Sequence, residues 1–142
     1  MRITRFRGEF GFLSNMSECE IRFGGLVFNS VEHAYQFHKT SSPTERDKIL
    51  KSKTPKQSKL ISKNFKHIRS DWHEVKEDIM YKLVKIKFTD NEDYRQGLCM
   101  TQGIELVEGN WWGDTFWGVC DGVGENKLGK ILMKVRDELC TN

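Results

Sequence analysis

Asp71-Trp72-His73-Glu74-Val75-Lys76-Glu77-Asp78-Ile79-Met80-Tyr81-Lys82-Leu83-Val84 decides the fold class. Val75, Ile79, Met80, Leu83 and Val84 recur at helical spacing and turn one face inward, and Asp71 followed by Glu74 reads as a capping box that opens the helix. Toward the N-terminus, Thr54-Pro55-Lys56-Gln57 and Ser42-Pro43-Thr44-Glu45 repeat the capping-box pattern with Pro at the first helical position. Ser30 reads as the N-cap of a helix running to about Lys39, with Val31, Ala34, Tyr35 and His38 on one side and Glu32, Gln36 and Lys39 on the other. Before it, Glu20 to Phe23, Gly24-Gly25 and Leu26 to Phe28 predict a β-hairpin, because Gly-Gly supplies the positive φ of a two-residue turn.

Toward the C-terminus a shorter helix is expected from about Glu92 to Met100, and Leu106-Val107 reads as a short strand. Asn126 is expected to cap a last helix whose stripe is Leu128, Ile131, Leu132, Val135 and Leu139. No repeat, low-complexity tract or linker divides the chain. The expectation is an α+β fold, mainly helical, as a single domain over 1–142 with a small β-hairpin near the N-terminus.

Of the 142 residues, 37% are hydrophobic and 30% charged, the balance of a globular protein that folds without staples rather than a disordered one. No apolar run approaches the ~20 residues that span a bilayer, and Met1-Arg2-Ile3-Thr4-Arg5 does not read as a signal peptide. A cytoplasmic protein without membrane contact is therefore expected. Cys19, Cys99, Cys120 and Cys140 form no C-x-x-C pair, and are expected as thiols that pack as small hydrophobes, with no metal site. From Lys48 to Arg69 the charges are all basic, although the net charge is only +3. This run is either a solvated helical face or a surface that meets phosphates, including those of DNA.

Gly124-Glu125-Asn126-Lys127-Leu128-Gly129-Lys130-Ile131 fits G-x-x-x-x-G-K but ends in Ile, which has no hydroxyl for Mg²⁺, and the stripe puts Gly129 and Lys130 inside a helix. A P-loop is rejected. Glu32, in the first turn of its helix, is stabilised as an anion by the helix N-terminus, whether as a simple dipole partner or as a group that must stay ionised. His33, His38, His67 and His73 show no catalytic pairing. Gly109 to Gly118 sets Trp111, Trp112, Phe116 and Trp117 around Asp114, the composition of a pocket wall that stacks on a base, with at least two of the rings expected in the core.

Phe12-Leu13-Ser14-Asn15, Ser30-Val31-Glu32-His33-Ala34-Tyr35-Gln36, Arg69 with Trp72, Lys87-Phe88, Leu106-Val107-Glu108, Asp114 with Trp117-Gly118, and Gly124 to Gly129 with Leu132-Met133 and Arg136 together resemble the NADAR, or YbiA-like, family. The match runs in order along nearly the whole chain, and its specificity lies in the ordered set. Members of that family are N-glycosidases: some hydrolyse early intermediates of riboflavin biosynthesis, others remove ADP-ribose from modified guanine. The resemblance implies that Glu32, Trp72, Asp114 and Trp117 are functional positions, supported by Asn15, Lys87, Phe88, Glu108, Asn126 and Arg136. The sequence departs from the family at Met16, where an aromatic is common, and at Val119-Cys120, where some members have a more polar, glycine-rich turn.

Cleavage of an N-glycoside passes through an oxocarbenium-like sugar and needs a carboxylate to stabilise it or to activate water. Glu32 is assigned that role, Asp114 orients ribose hydroxyls or assists the water, and Glu108 holds either in place. Arg7, Lys87 and Arg136 are candidates for a phosphate or pyrophosphate. No metal or cofactor is required. The expected substrate is ADP-ribosylated guanine, in a nucleic acid or a nucleotide, with a phosphorylated ribosylaminopyrimidine as the alternative. From another class, a non-catalytic module could bind ADP-ribose or nucleic acid, but carboxylates facing an anionic ligand favour chemistry on the sugar.

Overall fold

In the computed structural model, which describes residues 1–140, the elements follow in the order β1 (Arg2–Ile3), a 3-10 helix (Gly8–Leu13), β2 (Ile21–Phe23), β3 (Leu26–Phe28), α1 (Val31–Lys39), α2 (Pro43–Lys51), α3 (Pro55–Ser62), α4 (Trp72–Asp90), α5 (Glu92–Met100), β4 (Glu105–Leu106), β5 (Gly109–Asn110), β6 (Val119–Cys120) and α6 (Lys127–Leu139). This is the α+β, mainly helical architecture expected, with the hairpin in place: Gly24 and Gly25 turn at φ +60° and +81°, which returns β3 antiparallel on β2. The residues fall into two compact units, one of Asn15–Lys87, the other of Met1–Ser14 and the chain from Phe88 onward. Among the described residues no helix is long and apolar enough to cross a membrane.

In the first unit α1 packs on α2, α3 and the hairpin. Ile21, Phe28, Val31, Ala34, Phe37, Ile49, Met80 and Leu83 fill its interior, and Val75 is only half-buried. The helix starts lie where the capping boxes placed them, but only one half of each box forms. Ser42 and Thr54 accept from the N–H groups of Glu45 and Gln57. The return bonds go elsewhere: Glu45 takes the hydroxyl of Thr40 and the N–H groups of Lys66 and His67, and Gln57 takes the N–H of Lys53. At α4 the expected cap is replaced by an ion pair, because both Asp71 oxygens accept from Arg69 at 2.6 and 3.0 Å.

In the second unit β1 pairs parallel with β4 and β5 with β6, two ladders absent from the sequence reading apart from the Leu106 strand. Leu128, Leu132 and Val135 of α6 are buried, Ile131 and Leu139 half-buried. Gly129 and Lys130 lie inside α6, as the rejection of a P-loop requires. A side chain at Gly129 would run into the carbonyl of Leu106 and the amide of Asn126, so only glycine lets α6 approach β4 this closely. Asn126 does not cap α6 with its side chain. It sits at φ +52° and spans β4 and its exit, donating to Leu106 O at 3.0 Å and accepting from Glu108 N at 2.9 Å.

Two further expectations are corrected here. Cys99 and Cys140 are not separate thiols but a disulfide, their Cα atoms 5.4 Å apart, because the ends of α5 and α6 meet although 41 residues separate them. Cys19 and Cys120 remain free. Of the four rings in the aromatic segment none is in the core: Trp111 and Trp112 are exposed, Phe116 and Trp117 half-buried, because the glycine-rich loop carries them out of the ladders.

Candidate functional site

The start of α1 is the most tightly specified backbone around a candidate residue. Ser30 accepts from His33 N at 3.0 Å, and its hydroxyl donates to Asn29 Oδ1 at 2.9 Å. The His33 ring accepts from Asn29 N at Nδ1 (3.0 Å) and therefore donates at Nε2 to Ile49 O (2.7 Å). That ring is a strut between α1 and α2, and burial pushes its pKa down. Between these fixed points stands Glu32, half-buried, its N–H given to Asn15 O at 3.1 Å. Its carboxylate accepts from Gln36 Nε2 at 2.5 Å. Gln36 is buried, so the side of α1 that carries Glu32 is not a solvated face. The i,i+4 spacing from Glu32 was the signal for Gln36, which the sequence reading placed on the same side without assigning it a role.

Asn15 also donates Nδ2 to Met80 Sδ at 3.4 Å, tying the approach to α1 onto α4. Trp72 is 4% exposed and lies against Tyr35, ring centroids 4.9 Å apart, so its indole belongs to the interior of this unit. Lys87 is 1% exposed and donates to Ser17 Oγ at 2.7 Å. Burial pushes its pKa down to about 7, against the pull of nearby Cys19, whose thiol burial pushes up. At neutral pH such a lysine is a proton acceptor as much as a cation. Its position was readable, since Lys87 continues the stripe of Met80, Leu83 and Val84 at helical spacing.

The second unit gathers Glu108, Asp114, Trp117 and Asn126 into one loop system. Asp114 Oδ1 accepts from Phe116 N at 3.1 Å and Trp117 N at 3.0 Å, an Asx turn, and Oδ2 has no hydrogen-bond partner among the described residues. Trp117 O in turn accepts from Leu128 N, and Phe116 O from Lys127 N, which satisfies the first N–H groups of α6. The Glu108 carbonyl holds β6 through Val119 N at 2.8 Å, and its N–H is the one Asn126 accepts. Phe88 is fully buried. Arg136 is 6% exposed and donates Nη1 to Thr101 O and Ile104 O, both at 2.8 Å, which clamps α6 to the turn after α5. Of the three basic candidates for a phosphate, Arg7 alone is exposed. Among the described residues no group of three His, Cys, Asp or Glu could hold a metal ion.

In the first unit a carboxylate is fixed at a helix start, and in the second a turn presents a carboxylate and an indole, each carried on an α+β frame. That frame is the one of YbiA: the solution structure of the Escherichia coli protein matches with a TM-score of 0.86 and 29% identity over 98% of this chain and 86% of that one. Residues 4–140 match the NADAR domain, and the chain belongs to the NADAR family. It is 31% identical to an N-glycosidase YbiA from Shigella boydii over 133 residues, 92% of this chain and 82% of that protein. It is also 36% identical to a riboflavin biosynthesis protein from Vibrio vulnificus over 131 residues, where it spans 91% of its own length and 35% of the relative's.

Proposed function

We propose that this protein is an N-glycosidase that hydrolyses the bond between ribose C1′ and a nitrogen, and that its substrate is ADP-ribosylated guanine in a nucleic acid or a nucleotide. The carrying observation is Glu32, a half-buried carboxylate on a rigid helix start, oriented by Gln36. As the C1′–N bond breaks, positive charge spreads over C1′ and the ring oxygen, and a pre-oriented carboxylate stabilises it or takes the proton of the attacking water. Asp114 keeps Oδ2 for a ribose hydroxyl while Oδ1 braces the turn. Trp117, half-buried, offers a ring for the base. Arg7 is the exposed one of the three basic candidates and is suited to a phosphate of the nucleic-acid chain, since Lys87 and Arg136 are buried among protein partners.

The guanine reading is favoured by the basic run from Lys48 to Arg69, in which Lys48, Lys53, Lys56, Lys63 and Lys66 are exposed. A second reading, hydrolysis of a phosphorylated ribosylaminopyrimidine, is supported by the riboflavin biosynthesis name of the Vibrio relative. Incubation with an ADP-ribosylated guanine oligonucleotide and, separately, with such a pyrimidine phosphate, followed by mass spectrometry, tests both. Free ADP-ribose and restored guanine are expected from the first. Ribose phosphate from the second alone would transfer the assignment, and no release from either would leave a binding module.

A further inference from the structure

Two large aromatics of the second unit stand out to solvent. Trp111 is 65% and Trp112 47% exposed, two adjacent indoles in an edge-to-face pair with centroids 4.9 Å apart. Single exposed apolar side chains are ordinary, but a contiguous pair of the largest rings marks a contact surface. The pair is also displayed by a built loop. Asn110 donates Nδ2 to Asp114 O at 2.8 Å and accepts from Asp114 N at 3.0 Å, so residues 111–113 form a tip closed at its base by one side chain.

The surroundings select the partner. Phe6 is buried and its neighbours Arg5 and Arg7 are exposed, the alternation that sends the two guanidinium groups away from the core. The Arg7 guanidinium carbon lies 3.9 Å from the Trp111 ring centroid. Arg5 and Trp111 line the same open cleft of about 690 Å³, together with Lys130. Two acidic residues of that cleft are already opposed by cations, Glu105 by Arg2 at 3.2 Å and Glu125 by Lys127 at 3.8 Å, and Asp121 is the third. Neither Arg5 nor Arg7 is in an ion pair among the described residues. Flat rings flanked by two such arginines fit a ligand that alternates aromatic faces with anions.

We propose that Trp111 and Trp112, with Arg5 and Arg7, form a stacking platform for the unpaired bases of single-stranded nucleic acid. Bases stack on the indoles while the arginines meet the neighbouring phosphates; a duplex keeps its base faces covered, and a neutral sugar chain leaves the arginines idle. The platform deepens the guanine reading above and rests on it, since it would seat the nucleotides beside the modified one.

The test is fluorescence anisotropy with an unmodified, labelled ten-nucleotide DNA strand and with its duplex, at two salt concentrations. The single strand is expected to bind at least tenfold more tightly than the duplex, and Trp111→Ala to weaken it about tenfold, whereas Trp111→Phe restores most of the loss. Arg7→Gln should lower the salt slope by about one unit. Because Trp111 is exposed, its alanine variant should melt with the wild type; if it does not, Trp112→Ala carries the same expectation. Equal affinity for strand and duplex, or alanine variants that bind as the wild type does, would overturn the platform. Release of ADP-ribose with binding unaltered in Trp111→Ala removes the platform and keeps the proposed function, and stacking without release does the reverse.

Discussion

At Lys87 a single position shows how the fold changes the chemistry of a residue. A lysine is ordinarily a solvated cation, so among the basic residues of the chain Lys87 reads as a phosphate partner. Its place on the inward stripe of α4 instead leaves it 1% exposed, and burial lowers its pKa from an ordinary 10.5 to about 7. Between those two values the unfolded chain holds a proton that the folded protein lacks, so unfolding takes up a proton there and stability rises with pH. The gain is complete above about 10.5 and is lost as pH falls through about 7. Thermal melts from pH 6 to pH 10 should show a rise, on the order of a few kcal/mol. Lys87→Met, similar in volume and uncharged, should flatten it. An unchanged slope would mean that the ammonium is hydrated. Glu32 is singled out in the sequence by its place in the first turn of a helix and by the resemblance, whereas the hydrogen bond that orients it, from Gln36, is seen only in the structure.

Helices and strands differ in how much of them the sequence carries. Each helix announces itself through neighbours a few residues away: α1, α2 and α3 begin directly after Ser30, Ser42 and Thr54, whose side chains cap them, and α5 and α6 begin at Glu92 and Lys127, close to where the spacing puts them although no side chain caps either. The two-residue strands do not, because β1 finds its partner at Glu105 and Leu106, about a hundred residues on, and a two-residue segment has no period to read. The disulfide belongs with the strands. It joins α5 to α6 across 41 residues, beside the Arg136 clamp on Thr101 and Ile104, and spacing alone gave no sign of it. Closing a loop of that length restricts the unfolded chain and should contribute about 4 kcal/mol. Reduction, or Cys99→Ser, is therefore expected to lower the melting temperature by roughly 10 °C. A variant that melts with the wild type under oxidising conditions would show that the bridge adds nothing to stability.

For the whole molecule, family membership rests on residues 4–140 and the frame on the YbiA fold, and both were foreshadowed by the ordered set of motifs. What remained illegible was how the candidate residues divide between recognition and support. Trp72, Phe88, Asn126 and Arg136 turn out to be embedded in the packing and hydrogen bonding of their own units, whereas Glu32 and Asp114 keep carboxylates that are only half-buried. Sequence patterns report that a position matters to a fold family without separating these two reasons, since both demand a fixed side chain. The central claim is that Glu32 carries the cleavage of a ribose C1′–N bond. Its most direct test is the rate of ADP-ribose release from an ADP-ribosylated guanine oligonucleotide by the wild type and by Glu32→Gln. The substitution removes the charge and keeps the volume, so the variant should fold, bind the substrate and turn over at least about a hundredfold more slowly. Release at the wild-type rate by a folded Glu32→Gln protein would contradict the assignment.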